Sequence, residues 1–592
     1  MSHSSRRTFR STAVAVVGGV LAATAFVAPT AQAHDRDRDD DDRGRRLVDL
    51  QVLSFNDFHG NLEAPSGSSG RILTTAGSVD AGGVEYLATH LKQARKGQRN
   101  TVTVAAGDLV GASPLLSAAF YDEPTVRSLN RLGLDAAAVG NHEFDRGYKE
   151  LQRLQRGGCL KDGAGANNRN SCPDGSFPGA QFQYLAANVV ETRTGKTILP
   201  AYTIRRFQGG ARVAFIGMTL KQTPTIVTSS GVRGLRFLDE VQAANRLVPV
   251  LRKQGGNAIV VLIHQGGVPP ASTPFDYTCQ GGGRLSADSA ILPIARRLDP
   301  AIDMIVSGHT HQPYVCNIPD PNGKSRLVTS ASSFGRLFTE TTLKYDRRTD
   351  DIVRSSVKGS NLVVTRDVPK DPAQTRLIAR YSELVKAIAG KVLGRVTTDV
   401  TRAGNPAGES ALGDLIADAM LADPSVVQAG RKPDLALMNP GGIRADLTYA
   451  SSPKGEGNGV VTYEEAFTVQ PFNNYLVSMD LTGAQIKSLL TEQWSGGNAG
   501  TATKILQVSK GFAYTYSGTT LGQVTLNGAP LVDTQTYRVV TNSFLADGGD
   551  GFATFASGTG KYFGGLDIDA LASHLGAVSP YTPGPLTRIT KQ

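Results

Sequence analysis

The chain has 592 residues, 40% hydrophobic and 19% charged, with 66 glycines and 29 prolines, which is too long for one core and too apolar for disorder, so two globular domains are expected. The formal charge of +10 includes Arg6, Arg7 and Arg10 in a segment expected to be removed, and the modest remainder admits anionic substrates without demanding nucleic acid. Four cysteines in so long a chain exclude a fold that depends on disulfides.

The first element is an export signal. Residues 13–28 are apolar and short, arginines precede them, and Ala31-Gln32-Ala33 follows as a small-x-small cleavage site. A signal peptide over 1–33 and a secreted protein are expected. Ser5-Arg6-Arg7-Thr8-Phe9 resembles a twin-arginine signal and fits an ordinary secretory signal equally well. Residues 34–46 read as a charged, disordered tether too polar to pack. No other stretch reaches the ~20 apolar residues of a membrane span. Outside the cell cysteines can pair. Cys159 and Cys172 flank a loop rich in Gly, Asn and Asp, while Cys279 and Cys316 follow strand ends. Pairing 159 with 172 and 279 with 316 is favoured among the three connectivities four cysteines allow.

From 47 to 370 short β-rich runs alternate with helical stretches, the arrangement of layered α/β folds. The runs predict strands at 49–55, 101–105, 136–139, 213–216, 258–263 and 303–306. Residues 371–393 read as a linker helix, with Leu377, Ile378, Tyr381, Leu384, Val385 and Ile388 on one stripe. A second, smaller α/β domain is expected over 394–592, with a helix at 412–421 and no internal repeat.

Five of the strands end in residue types that bind metals. They lead into Asn56-Asp57-Phe58-His59, Gly107-Asp108, Gly140-Asn141-His142-Glu143-Phe144-Asp145, His264, and Gly308-His309-Thr310-His311. Ligands of open α/β sheets bind beyond the carboxyl ends of the strands, so the five ends are expected to converge. Each motif alone is an ordinary turn or helix cap; the set in this order is not. His90 and His574 lie in helical sequence without a partner motif and read as structural.

These motifs resemble the calcineurin-like metallophosphoesterases, and more narrowly the secreted 5'-nucleotidase and UDP-sugar hydrolase family, over both domains. The resemblance implies a four-layer β-sandwich flanked by helices, followed by a 5'-nucleotidase C-terminal domain. It implies two divalent ions, Zn, Mn, Fe or Co. Asp57, His59 and His311 would hold the first, Asn141, His264 and His309 the second, and Asp108 would bridge them; relatives often carry Gln or Asn at the place of His311. His142 and Asp145 match the catalytic pair. Imidazole and carboxylate ligands suit such ions, and a water held between them becomes acidic enough to attack phosphorus while the cations neutralise the phosphoryl oxygens. His142 would stand at the leaving group, oriented by Asp145.

In the second domain Asn439-Pro440-Gly441-Gly442-Ile443-Arg444 resembles the family's Asn-Gly-Gly-Gly-x-Arg loop, which implies phosphate binding by Arg444 and contact of Asn439 with a base or sugar edge. Gln470-Pro471-Phe472-Asn473-Asn474 and the stretch 542–552 match the segments whose phenylalanines sandwich the base. The match implies stacking by Phe472 and Phe544, ribose binding by Asp550, and a substrate contact by Asn474. Relatives often carry an arginine before the helix that follows Gly408, and this chain has glycine there; Arg402 is the candidate replacement.

The expected function is a secreted 5'-nucleotidase-type phosphohydrolase of nucleotide catabolism, with no stable nucleic-acid partner. The alternative is a phosphodiesterase on cyclic nucleotides, nucleotide sugars or nucleic acid using the same metals. A non-catalytic module holding polyanions would leave His142 and Asp145 unexplained.

Overall fold

Alternation of apolar side chains decides the layers of the first half. In the strand Leu47–Phe55, Val48, Leu50 and Val52 point into one core while Leu53 and Phe55 point into another. In Ala258–His264, Ala258, Val260 and Leu262 join the first core and Ile259, Val261 and Ile263 a third. Two sheets therefore share one buried face, and each carries helices on its outer face, giving four layers. A computed structural model describes residues 46–592 except 66–69, 162–168, 271–272, 282, 453–454 and 500–502. The expected signal peptide, and the tether apart from Arg46, lie outside the described residues.

The seven-stranded sheet has the order Asp351–Ile352, Leu337–Asp346, Leu47–Phe55, Thr101–Ala106, Ala136–Ala138, Gln183–Leu185, with Lys358–Val363 also paired to Leu337–Asp346. The last four strands of that order are parallel to one another. The six-stranded sheet runs Pro313–Pro319, Ser325–Ala331, Met304–Ser307, Ala258–His264, Arg212–Thr219, Tyr202–Arg206, with its middle four parallel. Parallel strands put their carboxyl ends on one edge, which is where the ligand motifs lie.

The helix Pro372–Ala389 is capped by Asp371, whose carboxylate accepts from the N–H groups of Ala373 and Gln374 at 3.0 Å, and it stops at Gly390. Leu377, Ile378, Tyr381 and Val385 are buried, but Leu384 is 38% exposed and falls off the expected stripe. The helix ends before residue 393 because the chain already pairs as the strand Val392–Arg395. It packs on Val84–Arg95, Glu123–Leu132 and Tyr463–Val469, and one core runs through it from the first half into the second.

The second half holds a five-stranded sheet in the order Gln507–Val508, Leu435–Met438, Thr536–Asn542, Tyr475–Thr482, Thr559–Leu566, covered by helices Ala411–Ala422 and Asp567–Ala577. A four-stranded sheet lies beside it. Both disulfides have the favoured pairing, Cys159 with Cys172 and Cys279 with Cys316. Cys316 lies inside the strand Pro313–Pro319, however, rather than following a strand end.

Candidate active site

The backbone turns sharply where the strands end. Asp57, His59, Asp108, His309 and His311 all have positive φ, between 47° and 74°. Non-glycine residues rarely hold this left-handed conformation, and it persists only where the surroundings enforce it. Here the enforcement is visible. The backbone N–H of Asp57 donates to the carbonyl of Gly107 at 3.0 Å, that of His59 to Asp108 at 2.9 Å, and that of His309 to the Asp57 carboxylate at 2.9 Å. Gly140 is needed beside them, because a Cβ there would lie 2.1 Å from Asp108 Oδ1.

The turns bring two triads together, Asp57 with His59 and His311, and Asp108 with His264 and His309, and a third group, His59 with Asp108 and His142, overlaps both. Within each, one ligand atom per residue lies within 4.8 Å of the others. His59 Nδ1 donates to the Gly111 carbonyl at 2.8 Å, which leaves the lone pair on Nε2 facing His311 Nε2 at 3.1 Å. His311 Nε2 is also 3.2 Å from Asp57 Oδ1. His264 Nδ1 likewise donates to the Ala106 carbonyl at 2.7 Å, turning Nε2 to Asp108 Oδ2 at 2.9 Å. Lone pairs and carboxylates converging in a buried bay require a cation between them.

Charge balance says the same. Burial would raise Asp57, but His311 and His264 outweigh it and its pKa falls to about 2. Burial and neighbouring imidazoles hold His309 down at about 3, and burial keeps His59 and His311 low as well. These three imidazoles stay neutral, the form that binds metal. Burial would lower His264 too, yet Asp108 and Asp57 overcome it and push it up to about 10. Asn141 places a buried Oδ1 without a hydrogen-bond partner. The donor set fits divalent metal ions.

Against the triads stands His142. Its Nδ1 lies 2.9 Å from Asp145 Oδ2 and its ring centroid 5.0 Å from that of His59. Its backbone N–H donates to Asp108 Oδ1 at 2.9 Å. Burial alone would depress the imidazolium, but Asp145 and then Asp108 raise its pKa above the ordinary 6.5.

The second half reaches into this bay. Phe472 stacks on His142 at 5.7 Å and 22°, and the Arg444 guanidinium carbon lies 5.9 Å from the Phe472 ring. The charge of Arg444 is felt by His59, His142 and His311. Burial, and then the charge of Arg402, lower the pKa of both Arg444 and Arg336. One turn before Arg444, Asn439 donates from Nδ2 to Asp550 Oδ2 at 2.7 Å, and Lys504 Nζ lies 3.0 Å from Asp550 Oδ1. Phe544 packs over Gly549 beside them. Asn474 Nδ2 donates to Asp567 at 3.3 Å, and its Oδ1 accepts from Ser543 at 3.3 Å.

A model of the calcineurin-like phosphoesterases matches residues 50–313, and one of the 5'-nucleotidase C-terminal domain matches residues 390–557. The chain belongs to the calcineurin-like phosphoesterases that carry this second domain. The chain is 33% identical over 539 residues to the cell wall protein Lmo0130 of Listeria monocytogenes, covering 86% of the chain and 64% of that protein. It is 31% identical over 504 residues to the endonuclease YhcR of Bacillus subtilis, covering 84% of the chain and 37% of the relative. The chain thus spans less than two thirds of either curated relative. Among solved structures, the 5'-nucleotidase precursor of Thermus thermophilus superposes with a TM-score of 0.72 at 26% identity, covering 92% of this chain and 99% of that one.

Sequence reasoning missed the residues that brace the candidate ligands. Asn56 Nδ2 donates to Asp57 Oδ2 at 2.6 Å and to the Ser332 carbonyl at 2.7 Å. The Glu143 carboxylate accepts from the N–H groups of Asp108 at 2.9 Å, Leu109 at 2.7 Å and Gly140 at 2.5 Å, tying two strand ends together. Both sit inside quoted motifs, next to a ligand. Lys504 carried no signal, being far in sequence from Asp550.

Proposed function

We propose that the chain is a metal-dependent phosphohydrolase of the 5'-nucleotidase type, acting outside the cytoplasm on nucleotides. The observation that carries this is the facing of His59 Nε2 and His311 Nε2 at 3.1 Å beside two carboxylates, with His142 and Asp145 at the rim. Two divalent ions, one per triad with Asp108 between them, would acidify a water and neutralise the phosphoryl oxygens. Asn141 Oδ1 completes the second set. The chain's own residues do the rest. Arg444 holds the substrate phosphate, aided by Arg402 in place of the arginine that relatives carry at Gly408. His142, with Nδ1 bound to Asp145, presents Nε2 to the leaving oxygen and gives it a proton. Asn439 and Asp550 hold sugar hydroxyls or a base edge, Lys504 keeps Asp550 in place, and Phe544 offers its face to the base.

Export is supported by the expected signal segment and by a relative named as a cell wall protein. Among the described residues no helix is long and apolar enough to cross a membrane. A second reading, a phosphodiesterase acting on nucleic acid, is favoured by the relative named as an endonuclease. Products separate the two. Purified protein loaded with Zn or Mn should release phosphate and adenosine from AMP, and chelator should stop it. Cleavage of single-stranded DNA or bis(p-nitrophenyl) phosphate with no release from AMP would establish the second reading instead.

A further inference from the structure

Beside the His142 and Asp145 pair lies a cavity of about 40 Å³, lined among others by Tyr121, Arg146, Arg169 and Phe472. The two guanidinium groups flank one aromatic ring, Arg146 at 5.1 Å and Arg169 at 5.7 Å from the centroid of Tyr121. Arg146 follows Asp145 directly in the chain, so the turn that orients the catalytic pair also fixes this arginine. Arg169 enters from the loop closed by Cys159 and Cys172. With the Asn473 amide turned to present its oxygen, Arg169 donates to it from Nη2 at 2.5 Å and Nε at 3.1 Å, so both domains contribute to the wall.

The charges in this cavity do not balance. Arg146 Nη2 donates to the Ala118 carbonyl at 3.3 Å, but Nη1 is buried with no hydrogen bond, and the nearest carboxylate, Asp122, is 3.6 Å away. The other lining carboxylates are engaged elsewhere. Asp145 faces His142, Glu143 accepts backbone N–H groups, and Glu150 receives a two-pronged contact from Arg153 at 2.7 and 2.8 Å. Burial, and then the charge of Arg146, lower the pKa of Arg169 to about 9. Two half-buried guanidinium groups, one of them with a buried Nη1 that has no hydrogen-bond partner, favour an anion, and planar forks match phosphate oxygens.

We propose that Arg146 and Arg169 form a second anion subsite, which takes a phosphate of the substrate other than the one being hydrolysed. This rests on the phosphohydrolase reading above and extends it to substrates bearing two phosphates. The second phosphate can be linked through an anhydride, as in a nucleoside diphosphate, or carried on the sugar, as in a nucleoside bisphosphate. The site recognises phosphate oxygens, with one negative charge on an anhydride-linked phosphate and two on a phosphate monoester of the sugar, and the linkage decides which of the two reaches it.

The test compares wild type, Arg146→Gln, Arg169→Gln and Arg169→Lys on AMP, ADP and adenosine 3',5'-bisphosphate, with metal loaded and a thermal melt for each. The readout is the ratio of kcat/KM for each two-phosphate substrate to that for AMP. The ratio should fall about tenfold or more in each Gln variant for at least one linkage, the scale of a lost charge-assisted hydrogen bond. Arg169→Lys, which keeps the charge without the fork, should be intermediate, and it serves if a Gln variant does not fold. Unchanged ratios in folded variants would overturn the subsite, as would a proportional loss on all three substrates, which is what simple bracing of Asp145 predicts. A wild type that releases nothing from any of them would sink the underlying reading instead.

Discussion

The ring of Phe472, from the second domain, lies on that of His142, from the first, with centroids 5.7 Å apart and planes 22° apart. A stacked aromatic at this position shields one face of the imidazole from water and fixes its tilt. On the proposed function the phenylalanine would bear on chemistry as well as on nucleoside binding, and the two phenylalanines would not be equivalent.

Their substitutions should separate. Phe544→Ala removes a stacking face that only a base can use, so AMP hydrolysis should drop by about 5- to 150-fold in kcat/KM, the value of ~1–3 kcal/mol, while p-nitrophenyl phosphate is hydrolysed as before. Phe472→Ala should lower both activities, because His142 loses its neighbour. Equal behaviour of the two variants on both substrates would refute the distinction.

Asp108 contacts His264 and is also 3.6 Å from His59. Asp108→Ala should lose bound metal and nearly all hydrolysis, measured by elemental analysis beside an activity assay. Retention of two ions per chain in that variant would rule out a bridging carboxylate.

His142→Ala should slow turnover by about 10²- to 10⁴-fold with metal content intact, the usual scale for a positioned acid. A substrate with a good leaving group, which needs no proton, should suffer less. Full activity of the variant on AMP would remove His142 from the reaction.

The same residue sets a pH limb. A group that must be protonated works below its pKa and fails as pH rises through it. Asp145 is the largest influence raising His142 against burial. In Asp145→Asn the alkaline fall of kcat should therefore begin at lower pH than in wild type. A profile of kcat against pH for both proteins checks this, and an alkaline limb that does not move would contradict the pairing.

The strand-end ligands were legible because five of the β-rich runs stop in Asn-Asp, Gly-Asp, Gly-Asn, His264 or Gly-His, and parallel strands must bring those stops to one edge. Conformation at the stops was not. Nothing in the letters of Asp57 or His311 announces a left-handed backbone, which comes from hydrogen bonds between loops distant in sequence. Leu384 kept the apolar spacing of its helix and still faces water, because its neighbours cover only part of that stripe. Asp550 was readable from its motif, whereas Lys504 was not, since a single ion pair across 46 residues has no sequence pattern.

Gly408 shows how one small contact can close a path of sequence change. Its φ is +81°, and a Cβ would lie 2.6 Å from Ile505 Cγ1. Gly408→Arg, the apparent return to the relatives' arrangement, therefore meets backbone strain and a collision together, and trimming Ile505 relieves only the second. The two positions are coupled, so a side chain at 408 cannot be judged apart from the one at 505. A lineage that has settled on this turn has little route back to an arginine there, and selection for tighter phosphate binding would act on Arg402 instead.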